Sequence, residues 1–420
     1  MTTTVTLERP APTSGSAPSW SARLRRAALW AGMVFVVLAI ARQVTGADAL
    51  TSSGTVSDAL GLAVPIGLAA LGGLFAERAG VVNIGLEGMM IFGTWFAGWA
   101  GYQWGPWAGV VAGIAGGAIF GLLHALATVT FGVDHIISGV AINIIAIGAT
   151  RYMSQEFFLG REDGGVNQGP SVDLINRVSV PFVGGPLGDL ERKQWFLLSD
   201  IAGLVRGITV DVSVLTILAV LLVPAAFWLL WRTNFGLRLR SVGENPQAAE
   251  SLGVPVYTMK YVGVVISGAL AGMGGAFLVT VYDAKFLEGQ TGGRGFIGLA
   301  AMIFGNWRPG GLAAGAALFG YTDSLRLREG TIAVHALLLF AALMLIVLAV
   351  RAGMTRRWAQ VGLTLGASAV FFLIFSVTNE VAGTLTPLVP YVATLLVLAL
   401  AGKRLRMPAA DGIPYRKGGG

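Results

Sequence analysis

Four polar side chains crowd into one short, apolar-flanked string: Glu77, Arg78, Asn83 and Glu87 in ERAGVVNIGLEGMM, Glu77–Met90. Carboxylate, guanidinium and amide groups can bind polar solutes or handle charge, but here they form no nucleophile–base constellation. Asn83 and Glu87 are four apart, a spacing that would put them on one helix face. Ionisable groups in a bilayer are costly, so they pair, or face water or protein. Asn83 and Glu87 therefore have two open readings: a hydrogen-bonding surface along a pathway, or pins between helices. For Glu77 and Arg78 the preferred reading is a place at the cytoplasmic interface.

Other constellations are weaker. Gly293-Arg294-Gly295-Phe296-Ile297-Gly298 spells G-x-G-x-x-G. A dinucleotide fingerprint also needs a preceding strand and a βαβ unit, and none is expected here, so close helix packing or a chain bend explains the glycines better. Neither a Walker A string nor H-E-x-x-H nor G-x-S-x-G occurs, so any ATP used must be hydrolysed by another polypeptide. Asp134 and His135 are adjacent at the start of an apolar run, where helix capping is a cheaper explanation than a proton relay. With no cysteine there is no disulfide and no thiolate ligand. The three histidines, His124, His135 and His335, are widely separated, so no metal site and no cofactor are expected.

The elements that must position these groups are membrane-length. Of 420 residues, 55% are hydrophobic and 12% charged, about half the charged share of an average soluble domain. Mean hydropathy is +0.71. Apolar runs occur at Ala27–Ala41, Ala59–Phe75, Val82–Ala100, Trp107–Thr130, Ile136–Met153, Val212–Leu230, Tyr261–Val279, His335–Val350, Val361–Val377 and Val389–Leu400. Shorter pieces at Phe296–Phe304 and Gly311–Leu318 flank GNWRPG. Short, Gly/Pro-interrupted segments point to broken or re-entrant helices lining a pathway. The expected fold is an all-α, polytopic helical membrane protein of about 10–12 spans. Gly268, Gly272 and Gly275 read as a small-residue packing face.

The net charge of +7 is spread at Arg23, Arg25, Arg26, Arg232, Arg238, Arg240, Arg351, Arg356, Arg357, Lys403, Arg404 and Arg406, all flanking apolar runs. That is the positive-inside pattern, and it argues against nucleic acid. Residues 1–26 form a polar, disordered cytoplasmic tail and residues 403–420 a basic cytoplasmic tail, on either side of a membrane domain at 27–402. Ala39-Ile40-Ala41 also resembles a signal cleavage site. The amphiphilic stretch at 154–207 falls outside, and a basic loop at 232–258 falls inside.

Within that inner loop, Asn245-Pro246 and Gly253-Val254-Pro255 punctuate a short helix, Pro246–Leu252, that would present Ala248, Ala249 and Leu252. Two turns are too short to stand alone, so a partner must dock there. The loop and following span, GLRLRSVGENPQAAESLGVPVYTMKYVGVVISGALAGMGGAFL, are similar to the coupling-helix region of importer permeases of the ATP-binding cassette (ABC) type. Gln247-Ala248-Ala249-Glu250-Ser251-Leu252-Gly253 matches their EAA-x3-G signature, with Gln in place of the usual Glu.

Glu77–Met90 and Gln290–Gly310 occupy comparable places in the two halves and suggest an internal repeat. From about Ser57 to about Val350 the chain resembles the branched-chain amino acid/simple-sugar permease superfamily, and within it the nucleoside-type permeases that work with a Bmp-like lipoprotein. The resemblance implies a bacterial cytoplasmic-membrane, multi-pass permease, not itself an enzyme. Its implied partners are ATP-binding cassette subunits, a second related permease, an extracytoplasmic lipoprotein, and the lipid bilayer. It implies alternating access, with Glu244, Asn245, Pro246, Gln247, Ala248, Ala249 and Gly253 meeting the ATPase. A nucleoside would need hydrogen-bonding groups such as Asn83, Glu87 and Asn143, and an aromatic wall from Trp95 or Phe296. A simple-sugar or nucleobase permease is the near alternative. An ion-coupled carrier using Asp134, His135, Asp283 and Arg294 is the distant one.

Overall fold

The computed structural model describes residues 20–385 and 405–416. Almost all of it is helical: α1 (Trp20–Thr45), α2 (Ser53–Arg78), α3 (Leu86–Trp104), α4 (Pro106–Ala125), α5 (His135–Phe157), α6 (Gly184–Arg192), α7 (Leu198–Thr209), α8 (Val214–Arg232), α9 (Asn234–Glu244), α10 (Pro246–Ser251), α11 (Val256–Phe277), α12 (Arg294–Phe304), α13 (Pro309–Met354) and α14 (Trp358–Val377). Single π-type turns extend α4 through Leu126–Thr130 and α11 through Leu278–Asp283. The only sheet among the described residues pairs β1 (Arg177–Val178) with β2 (Val212–Ser213).

Among the described residues, eight helices are long and apolar enough to cross a membrane. Several of the expected spans differ from this set. Phe296–Phe304 lies in α12, which at 11 residues is too short to cross. Gly311–Leu318 and His335–Val350 are not separate elements: α13 joins them in 46 continuous residues, because only glycines and no proline interrupt the sequence between them. The first half of α13 packs on α2 and the second on α1 and α14. Helix α3 has too many glycines and tryptophans, and Glu87, to reach span hydropathy. Val389–Leu400 lies outside the described residues, as do most of the expected N-terminal tail and the two ends of the expected C-terminal one.

The core is built around α2 and α11, which are buried along most of their length. Helix α11 lies against α4 at backbone distance through Gly268 and Gly272 on one side and Gly113, Gly117 and Gly121 on the other. A Cβ built on Gly117 would sit 2.2 Å from the Gly268 carbonyl oxygen, and one on Gly268 would sit 2.2 Å from that of Gly117. Small residues permit such approach where lipid supplies no hydrophobic drive between helices. Gly275 serves the same purpose against α3, since its Cβ would meet the Met90 carbonyl oxygen at 2.2 Å.

The stretch at 154–207 is more ordered than a loop. It contains β1, α6 and most of α7, and α7 packs on the start of α2. There Asp200 accepts from Thr51 Oγ1 at 2.6 Å and pairs with Arg42 Nε at 2.8 Å. Glu191 accepts from the Ser53 amide at 2.7 Å and pairs with Arg206 at 3.0 Å. The charges that mark the segment as a loop in sequence are thus spent fastening a cap to the bundle.

Candidate functional site

The break between α2 and α3 positions everything that follows. Gly80 adopts φ +78°, a conformation that favours glycine. Asn83 lies in the turn after it and not on a helix: its Oδ1 accepts from the Gly85 amide at 3.0 Å and its Nδ2 donates to Ser267 Oγ at 2.9 Å. The expected shared face of Asn83 and Glu87 is therefore not formed, because the Asn side chain closes a local turn that delays α3 until Leu86.

Glu87 occupies the first turn of α3 and reaches across to the second glycine-rich break. Its Oε1 accepts from Thr291 Oγ1 at 2.7 Å and the Gly293 amide at 2.9 Å, and its Oε2 accepts from the Gly295 amide at 2.6 Å. The carboxylate thereby caps the N-terminus of α12, where a negative charge is favoured. Gly295 is needed here for close approach, since a Cβ on it would meet Glu87 Cα at 2.6 Å, and Gly293 for its φ of +79°. The two interruptions that suggested a repeat thus touch each other. Thr291, Gly293 and Gly295 are the functional partners that sequence reasoning missed, although the glycine string was the signal for them.

Beside this junction lies a cavity of about 540 Å³. It is lined by Glu87, Ile91 and Thr94 of α3, by α5 residues including Asn143 and Ile147, and by the segment from Phe286 to Phe296. Of the five expected pathway residues, Glu87, Asn143 and Phe296 line it; Asn83 and Trp95 do not. Trp95 is buried behind the wall, donating to Ser154 Oγ at 3.1 Å and packing with Phe158 and Phe286. The amide of Asn143 is largely committed: Oδ1 accepts from the Gly88 amide at 2.7 Å and Nδ2 donates to the Ile84 carbonyl at 3.0 Å. Asn143→Ala strands both backbone groups and is expected to cost about 2 kcal/mol, read as a lower melting temperature of the purified protein in detergent.

Most polar groups on the wall are satisfied in the same way. Thr94 and Thr150 donate to carbonyls in their own helices, and Gln290 is shared between the Leu287 amide and Asp283. Arg294 braces the same segment by donating to the carbonyls of Gln290 and Thr291. The surface is mainly apolar, with few hydrogen-bonding valences left over. It can admit a polar solute of modest size without gripping it.

The proposed carrier residues do not assemble. Asp134 caps α5, accepting from the Ile136 and Ile137 amides, and His135 Nδ1 accepts from the Val82 amide at 3.2 Å. Asp283 and Arg294 lie apart from them, both bonded to Gln290 beside the cavity. Among the described residues, no group of three potential metal ligands occurs.

One end of the bundle bears the basic loop. Glu77 accepts from Trp307 Nε1, and Arg78 donates to the Trp307 carbonyl at 2.8 Å. Arg78 also lies over the Trp231 ring at 5.5 Å and faces Glu244 at 3.6 Å. Thr233 caps α9 and Asn245 caps α10, with Asn245 Oδ1 accepting from the Ala248 amide at 2.9 Å. Pro246 takes the first position, the helix stops at Ser251, and Gly253 follows at φ +78°. The faces divide more sharply than expected. Pro246 and Ala249 turn into the protein, whereas Gln247, Ala248 and Leu252 are exposed, Leu252 to 85%.

Comparison with known proteins agrees with this arrangement. The family model described as "branched-chain amino acid transport system / permease component" matches residues 55–349. The chain is 33% identical over 363 residues to the guanosine ABC transporter permease protein NupQ of Bacillus subtilis, covering 85% of this chain and 94% of that one. It is 33% identical over 370 residues to the nucleoside ABC transporter permease protein NupC of Lactococcus lactis, covering 86% and 96%. The putative glucose ABC transporter permease protein TsgC13 of Haloferax volcanii is 34% identical over 264 residues, covering 62% and 73%. No solved structure matches significantly. The family match spans the interlocked core of α2, α3, α4 and α11, both glycine-rich breaks and α10, and on that extent the chain belongs to the family of branched-chain amino acid transport system permease components.

Proposed function

We propose that this chain is the membrane-spanning permease subunit of an ABC importer for nucleosides, working in the cytoplasmic membrane by alternating access. The single observation that carries the reading is the pairing of a near-satisfied cavity with an exposed, capped α10 at the inner end. A cavity of about 540 Å³ suits a small polar, aromatic solute. Its scarcity of free hydrogen-bond partners suits passage more than retention, with selection left to a substrate-binding lipoprotein outside. Relatives named for guanosine and nucleoside transport, covered over more than nine-tenths of their length, favour that substrate class. The glucose relative is the specific reason to keep sugars as the second reading.

ATP hydrolysis falls to separate ATP-binding subunits that cover Gln247, Ala248 and Leu252. A second, related permease closes the α5 side of the cavity, where Ile144 and Ile147 stand exposed on the helix that forms its wall.

The test is uptake of labelled nucleosides in cells lacking the chain, restored with wild type or with Leu252→Asp. Leu252 makes no buried contact to lose, so the variant is expected at wild-type protein level with uptake reduced roughly tenfold or more, the scale of losing a central interface anchor. Nucleoside uptake unchanged by deletion, with glucose uptake lost, would move the substrate to sugars. Full rescue by Leu252→Asp would remove α10 from the docking surface.

A further inference from the structure

We propose that the C-terminal segment 405–416 is a strut of the coupling machinery, with Tyr415 the positioning residue that sets α10 against the bundle. The inference rests on the importer reading above. Helix α10 has six residues and cannot hold itself. Its helix contacts are chiefly with α9 and α11, its own chain neighbours. The buried cluster around Ala249 contains Val242 and Val256 from those neighbours, and from outside them Tyr415. The Tyr415 ring also stands edge-on to Tyr257 at 5.5 Å, close to the Glu250 side chain of α10 itself.

The rest of the segment is fastened deeper. The Arg406 amide donates to Asn306 Oδ1 at 2.7 Å and the Ala410 amide to the Gly243 carbonyl at 2.9 Å. Asp411, 7% exposed, lies close to Glu77 and the Lys260 ammonium, and burial followed by the neighbouring Glu77 charge pushes its carboxyl up. Lys260 Nζ donates to the Gly80 carbonyl at 2.9 Å, tying the same node to the break before α3.

The consequence is a continuous mechanical path. It runs from α10 through Tyr415 and along the segment to Arg406, whose amide holds Asn306 in the turn after α12, the helix whose other end Glu87 caps at the cavity. Movement of α10 under the ATPase reaches the substrate wall through the tail as well as along the chain. A strut of this kind transmits work, so its loss separates ATP hydrolysis from transport.

The experiment uses the complete transporter in proteoliposomes, with its binding protein and guanosine as probe, and reads guanosine imported per ATP hydrolysed. Because both rates come from the same assembled complexes, the ratio is independent of how much chain survives. Tyr415→Ala is expected to lower the ratio roughly tenfold, while Tyr415→Phe, which keeps the ring on Tyr257, is expected to retain most of it. Tyr415→Leu fills the apolar space without the ring and serves if the alanine variant does not assemble; it too should fall well below wild type. A wild-type ratio in Tyr415→Ala or Tyr415→Leu would overturn the strut. Failure of the importer reading is distinguishable, since wild type itself would then show no guanosine import linked to ATP hydrolysis.

Discussion

Glu87→Ala is expected to take up nucleoside at less than a tenth of the wild-type rate and to reach the membrane at reduced level. The substitution removes the acceptor of three donors at once: Thr291 Oγ1 and the amides of Gly293 and Gly295. Each buried donor left unpaired costs about 1–3 kcal/mol, so for three donors the local loss reaches ~3–9 kcal/mol and exceeds anything α12 can recover by itself. The 11-residue helix would fray from the end that lines the cavity. Glu87→Gln separates charge from hydrogen bonding. It keeps one acceptor oxygen but places an amide NH₂ against a donor, so intermediate uptake is expected. Labelled uptake normalised to immunoblotted membrane protein reads both variants. Full activity of Glu87→Ala would show that the junction between the two glycine-rich breaks is dispensable for transport.

The second large effect is expected from packing alone. Gly268→Val should leave little folded chain in the membrane. The α4–α11 contact has no room for a Cβ on either side, with backbone oxygens 2.2 Å from the built positions at Gly117, Gly268 and Gly272. Backbone cannot swing aside as a flexible side chain can. The helices must separate and surrender contact along the whole seam, at a cost above ~3 kcal/mol. Gly366→Val on α14 is the control, since its Cβ would meet nothing within 4 Å. Membrane protein level and the melting temperature in detergent decide the comparison. A stable Gly268→Val protein would mean that the α4–α11 seam is looser than this structure has it.

A good deal of this was legible in the residues themselves. Composition and apolar run length are enough for an all-α membrane bundle, because a backbone in lipid must satisfy its own hydrogen bonds and helices do so segment by segment. Local punctuation was equally readable. Asn245, Pro246 and Gly253 place a short helix because cap, first-turn proline and left-handed glycine act within a few residues. The capping of α5 by Asp134 and the packing face of Gly268, Gly272 and Gly275 were legible for the same reason: the physics is local or strictly periodic.

The tertiary structure decided what depends on distant partners. Nothing near Glu87 in sequence announces that Thr291, Gly293 and Gly295 will surround its carboxylate, more than two hundred residues away. Spacing placed Asn83 beside Glu87, but the side chain found a nearer donor at Gly85 and the helix began later. Trp95 read as a cavity wall and became its backing, since the bundle turned its indole toward Ser154. The terminal segment read only as a basic cytoplasmic tail, and its buried Asp411 and Tyr415 had no signal in the sequence. Charge and hydropathy patterns report which environments a segment can tolerate. Which partner each polar group meets is set by how the helices cross, and that is settled only when the whole chain has packed.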